Sequence, residues 1–318
     1  MLKNFSPKAL GINGRQSELI ELALTYGFRS MDIDMYEILR RSGRTSAEDA
    51  AKFVKAAMID ERVGKDKMGR LEGIGGFELE VNLDATDEEF KAQVATLHPL
   101  VELAEDLEAT RAYITLPAAT DSMPYHEFFD AQGTRVKQIA EVLGTKNIQL
   151  GISFDGSREP EHGKQYDFVR NVEGLIAFVK SVGVANVGYI IDTWDWVVGD
   201  GGMDQLSEIA GSDIIAIRLG TLAADVDPAK ATRGDRELPT LEGGLNHVSV
   251  VKQAIQAGFE GPICPSASPS RYKGQTRENT VKQSQEAIDK ISEEAGLEVK
   301  PLPMDLIEEI PVETTPLV

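Results

Sequence analysis

The sequence contains one cysteine, Cys264, and four histidines in 318 residues. A single thiol cannot close a disulfide within the chain or supply a cysteine-based zinc cage. It suits a reducing compartment. Long apolar runs are also missing. No stretch approaches the roughly 20 residues needed to span a bilayer, and the opening MLKNFSPKALGINGRQ has no apolar segment of signal-peptide length. These absences predict a soluble, cytoplasmic protein that does not engage membranes. Positive charge is in short supply: 33 Lys and Arg stand against 52 Asp and Glu, a net charge of −19. Such a surface repels phosphate backbones and anionic lipid, so nucleic acid is not an expected partner.

What is present is apolar material enough for a large core, 42% of the residues. It falls in short apolar runs that alternate with longer amphipathic stretches. Strands are predicted at 9–13, 28–35, 77–83, 111–117, 148–154, 186–192, 213–220 and 261–267. Helices are predicted at 16–27, closed by Gly27, and at 46–58, capped by Ser46. Further helices are predicted at 86–107, 126–144 with a break near Gly133, 167–183, around 203–210, 246–258 and 277–295. Strands without polar alternation, each followed by a helix, imply a parallel sheet covered on both faces. Eight such units fit a closed (β/α)8 TIM barrel, an α/β fold, in one domain over 1–297. No Gly-rich dinucleotide fingerprint follows the first strand. Residues 298–318 are acidic and Pro-punctuated, and read as a tail lying on the barrel or on a partner.

In such a barrel the working residues lie at the C-terminal strand ends and in the loops that follow. Those positions are Asp32, Asp34, Thr115, Ser153, Asp155, Arg158, Asp192, Trp194, Asp195, Arg218, Arg236, Cys264, Ser266 and Arg271. Trp194 and Trp196 fall beside carboxylates, where an aromatic face suits a sugar ring, although one of the two is expected to be core. His98 and His247 are expected to be exposed. His126 and His162 lie in loops without a His or Cys partner at metal-ligand spacing.

The runs LGISFDG (150–156), VGYIIDTWDW (187–196), RELP (236–239) and GFEGPICPSASP (258–269) resemble the xylose isomerase-like TIM barrels, the superfamily of sugar phosphate isomerases and epimerases. The resemblance spans roughly residues 8–295 and lies in pattern and order more than in identical residues. It implies a divalent metal held by two glutamates, an aspartate and a histidine, with the glutamates moving a proton between adjacent carbons. Carried over position by position, the first glutamate falls on Ser153, the aspartate on Asp192, the histidine on Arg218 and the final glutamate on Ser266, with Cys264 a near alternative. A second histidine of the pattern falls on Asp195, and an arginine before Leu-Pro is kept as Arg236. One of four ligands survives. Serine hydroxyls are poor divalent ligands and poor bases, and a guanidinium cannot ligate a metal.

We therefore expect no metal cofactor, with Arg218 filling the charge role of the metal against Asp192 and Asp195. A weak oxygen-only site at Asp155, Asp192 and Asp195 is the alternative. Asp32, Ser153, Asp155, Arg158, Trp194, Arg236, Ser266 and Arg271 are candidate ligand contacts, and Asp192, Asp195 and Arg218 candidate catalytic groups. Arg233, Arg236, Arg271, Lys273 and Arg277 follow the last two strands and suggest an anion site, or else surface charge paired with Asp235, Glu237 and Glu278. The expected partner is a small sugar or sugar phosphate, with a homo-oligomer or a tail-bound protein also open. Three functions follow: a sugar-binding isomerase/epimerase-like protein, a metal-free or weak-metal enzyme of another reaction type acting on a sugar, or a non-catalytic binding or scaffold protein.

Overall fold

The computed structural model of the chain describes residues 1–41, 46–59, 70–159, 163–242 and 244–299. His162 and tail residues 300–318 lie outside these. The barrel strands are β1 (Leu2–Phe5), β2 (Ser30–Met31), β3 (the pieces Gly73–Ile74 and Phe77–Glu78), β4 (Arg111–Thr115), β5 (Gln149–Ser153), β6 (Val187–Asp192), β7 (Ile214–Leu219) and β8 (Pro262–Pro265). All pair in parallel, and β1 lies between β8 and β2. The sheet closes through the divided strand: Gly73–Ile74 pairs with β2, and Phe77–Glu78 pairs with β4. The α/β TIM barrel expected from the alternation is therefore the fold. Among the described residues, no helix is long and apolar enough to cross a membrane.

The break in β3 has a steric cause. A Cβ at Gly75 would sit 2.1 Å from Asn4 Oδ1 and 2.6 Å from Asp32 Oδ1, and one at Gly76 would sit 2.2 Å from the Tyr113 ring. Only glycine admits these three side chains so close to the backbone. Tyr113 Oη donates to the Gly75 carbonyl at 3.0 Å, which fixes the break from inside.

Several expected elements are corrected. The first strand is 2–5, not 9–13. Lys8–Leu10 forms a 3-10 turn closed by Gly11 at φ 63°, with Leu10 and Ile12 buried as a loop. A helix at Met35–Arg41 takes over part of the second predicted strand, and another at Thr193–Val198 follows β6 directly. The long helix at 86–107 is two, Asp87–Ala95 and Leu97–Asp106. Tyr125–Gly144 runs unbroken through Gly133. The Ser46 cap and the left-handed Gly27 stand as expected.

Candidate functional site

Asp192 ends β6 and caps the helix Thr193–Val198: its Oδ1 accepts from the N–H groups of Trp194 and Asp195 at 3.1 and 3.4 Å. That cap leaves Oδ2 free to face the mouth, and it places Asp195 on the first turn beside it. Both carboxylates meet one cation, but the cation is Arg236 and not Arg218. Arg236 Nη1 donates to Asp192 Oδ2 and to Ser266 Oγ, each at 3.0 Å, and Nη2 donates to Asp195 Oδ2 at 2.7 Å. The guanidinium lies 4.7 Å above the Trp194 ring. Gly156 N–H donates to the other Asp195 oxygen at 2.9 Å. Burial pushes the Asp195 carboxyl up to about 7, opposed by Arg236 and reinforced by Asp192. Burial works against the Arg236 charge as well, and the two aspartates more than compensate, so its pKa is raised.

The expected pairing of Arg218 with Asp192 and Asp195 is thus overturned. Arg218 stands in register between Asp192 of β6 and Cys264 of β8. Its side chain crosses the barrel, and Nη2 donates to Glu78 Oε1 at 2.6 Å. The Tyr113 ring lies 5.3 Å beneath the guanidinium. A carboxylate on β3 attracts it more directly than two aspartates already satisfied by Arg236. Burial disfavours the Glu78 charge, but Arg218, with help from Lys8 at 3.7 Å, holds its pKa below the ordinary value. Asp32 stands in the same corner and accepts from Asn4 Nδ2 at 2.9 Å; burial raises its pKa to about 6 against the pull of Ser6, Arg218 and Asn4. Burial also pushes the Cys264 thiol upward.

The remaining candidates divide. Ser153 Oγ and Thr115 Oγ1 lie 2.8 Å apart and satisfy each other. Arg233 donates to Asp155 at 2.6 and 2.9 Å, and the Asp155 pKa is lowered: burial opposes the charge, and Ser157 and Arg233 overcome it. Arg158 braces a loop, its backbone N–H donating to the Ala231 carbonyl at 2.7 Å. Trp194 is 0% exposed, so its face serves Arg236 and not a ligand ring; Trp196 is equally buried, its Nε1 donating to the Gly202 carbonyl. Asp34 accepts from Glu37 N–H and caps the helix that follows. Arg271 lies 3.5 Å from Asp235 and 3.6 Å from Glu237, and Arg277 is 3.0 Å from Glu18. Arg271 and Arg277 are thus paired with acids near the surface, whereas Arg236 of the same cluster turns inward onto Asp192 and Asp195. His98 and His126 are exposed, but His247 is buried: its Nδ1 lies 2.7 Å from the Thr240 carbonyl. Among the described residues, no group of three or more His, Cys, Asp and Glu is placed to hold a metal ion.

Sequence reasoning missed Glu78. The signal was available in FELEVNL, where an acid stands inside a strand that should be apolar on both faces.

Eight parallel strands, with polar and charged groups gathered at their C-terminal ends, define a TIM barrel whose candidate site lies at its mouth. A family model, the xylose isomerase-like TIM barrel, matches residues 20–292, and the chain belongs to that family. Among solved structures, it is similar to a xylose isomerase domain protein from Alicyclobacillus acidocaldarius (TM-score 0.78, 20% identity), covering 93% of this chain and 99% of that one. The IOLI protein with a bound zinc atom follows at TM-score 0.71 and 14% identity, covering 93% and 98%. D-Psicose 3-epimerase with D-tagatose from Clostridium cellulolyticum H10 aligns at TM-score 0.64 and 12% identity, over 93% and 99%. At these identities the structural likeness extends to the fold. No curated protein sequence matches the chain.

Proposed function

We propose that this protein binds a small polyhydroxylated, sugar-class ligand at the barrel mouth, and that Arg236, which the resemblance also keeps beside the metal of metal-dependent relatives, here neutralises Asp192 and Asp195 directly. The observation that carries the reading is the Arg236 guanidinium held between Asp192, Asp195 and Ser266 over Trp194. The residues do not fit a resident metal. Ser153 and Ser266 offer weak neutral oxygens, Arg218 is a cation, and both aspartates already have a counter-charge. The paired carboxylates of a metal-assisted 1,2-proton transfer have no counterpart at Ser153 and Ser266. Support for the sugar class comes from the family and from neighbours such as the D-psicose 3-epimerase that holds D-tagatose.

The test is elemental analysis and thermal unfolding with and without Mn²⁺ and Mg²⁺. Wild-type protein should hold well under one equivalent of divalent metal and gain no stability from added ion. In Arg236→Ala the two aspartates lose their cation, and divalent ions should then stabilise the protein. Stoichiometric metal bound at Asp192 in the wild type would overturn the reading.

A further inference from the structure

The chain has eight asparagines, and Asn13 alone is followed by glycine. The pair lies in the loop between the 3-10 turn Lys8–Leu10 and the helix Gln16–Thr25, on the wall of a cavity that opens over β1, β2 and β3. Asn13 is exposed, while Ile12 beside it is buried. Among the described residues, neither the Asn13 side-chain amide nor the Gly14 N–H meets a hydrogen-bond partner. The other asparagines are held. Asn4, Asn82, Asn171, Asn186, Asn246 and Asn279 engage their side chains in hydrogen bonds. Asn147 is followed by Ile148, whose N–H donates to the Leu143 carbonyl at 3.1 Å.

We propose that Asn13 is a site of spontaneous covalent modification, in which the Gly14 nitrogen closes a succinimide on the Asn13 side chain and water reopens it as aspartate or isoaspartate. The Gly14 nitrogen gives its proton to hydroxide and attacks Asn13 Cγ. The N–Cγ bond forms, the Cγ–Nδ2 bond breaks, and the amide nitrogen takes up a proton and leaves as ammonia. Water then adds to one of the two ring carbonyls. Attack at Cγ yields aspartate. Attack at the main-chain carbon yields isoaspartate, with the chain now running through the side-chain carboxyl. One water is consumed and one ammonia released, with no oxidant or reductant. Glycine matters because a Cβ on the attacking residue would crowd the closing ring. A free N–H matters because a nitrogen committed to a hydrogen bond must first give it up.

The surroundings admit the product. The helix that begins at Gln16 has no side-chain cap, so a carboxylate in the preceding turn stands at the favourable end of its dipole. Either product adds a negative charge to a wall that already carries Asp32, Asp34, Glu37, Glu78 and Glu80 against Lys8. Isoaspartate also inserts a carbon into the main chain just ahead of a helix whose Leu19 and Ile20 belong to the core.

The test is peptide mapping by mass spectrometry, with isoelectric focusing, of the full chain incubated at neutral and at mildly alkaline pH, native and in urea. In the native protein the peptide carrying Asn13 should take on the mass of aspartate, split into two chromatographic forms and convert faster at the higher pH. The other seven asparagines should stay intact, and a more acidic band should grow in step. Gly14→Ala should slow the native conversion at least about tenfold, a barrier rise of about 1.4 kcal/mol. That substitution meets no left-handed φ, and the atom nearest its Cβ is the end of the Arg277 side chain. Asn13→Gln, a change confined to an exposed side chain, should abolish the acidic band. An Asn13 that stays intact in the native protein, whether or not urea releases it, would overturn the proposal. Native conversion equally fast in Gly14→Ala, equally fast at Asn147, or an acidic band that persists in Asn13→Gln would overturn it too.

Discussion

At the scale of residues, two arginines share the mouth and should respond differently to removal. Arg236→Met leaves Asp192 and Asp195 close together without a cation, and breaking a buried pair typically costs about 3–5 kcal/mol. Without Arg236 the raised Asp195 pKa rises further, so the folded state holds a proton that the unfolded state has released. The deficit should therefore shrink as pH falls from 8 toward 5, and Asp195→Asn should restore part of it. Urea denaturation at several pH values measures both effects. Arg218→Met should not be rescued by Asp195→Asn, since its partner is Glu78; a double-mutant cycle separates the two pairs. Asp32 supplies a third expectation. Its folded pKa is raised from 3.8 to about 6, so its contribution is fully present below the unfolded value and is lost as pH climbs through that window. Asp32→Asn should flatten the stability profile between about pH 4 and 6. How far this site was legible in the sequence follows from where its parts sit. Asp192 and Arg218 lie on strands, whose register the apolar pattern dictates. Arg236 arrives from a loop that begins after β7, and no local pattern says where such a loop carries its side chain. The strand pattern therefore points to Arg218, while the mouth cation is Arg236.

At the scale of elements, periodicity located most helices, and the misreadings have local causes. The predicted helix at 86–107 divides because Pro99 lacks an N–H and its ring clashes with the carbonyl of Ala95, so the second helix must start afresh at Leu97. That signal was present in the sequence. ALGIN passed for a strand because Leu10 and Ile12 are both buried, yet they are buried from a turn. Gly133 suggests a break by its residue type, but the helix Tyr125–Gly144 continues through it, and a Cβ there meets nothing within 4 Å. Gly133→Ala should consequently stabilise the protein by about 0.5–1 kcal/mol, because it limits the unfolded chain and adds no clash. Chemical denaturation of the pair of proteins checks this.

At the scale of the whole molecule, charge and closure matter most. The net charge is −19, and Arg233, Arg271 and Arg277 over the last two strands each carry an acidic partner. Replacing chloride by low-millimolar phosphate at constant ionic strength should leave the melting temperature unchanged. The barrel's closure is less even than its shape suggests. β4 and β5 share five register pairs, and β6 and β7 share four. By contrast, β1 meets β8 through two, at Pro262 and Ile263, where Pro262 has no N–H to give, and β3 meets β4 through two, at Phe77 and Glu78. Strands β1, β2 and β3 thus form a wedge fastened at both sides by short clasps, and a cavity lined by Asp32 and Glu78 lies within it. Hydrogen exchange should find this wedge opening as a unit at lower free energy than the remaining strands. Opening of that wedge would bare β1, β2 and β3 to exchange and leave the other five strands at their own pace.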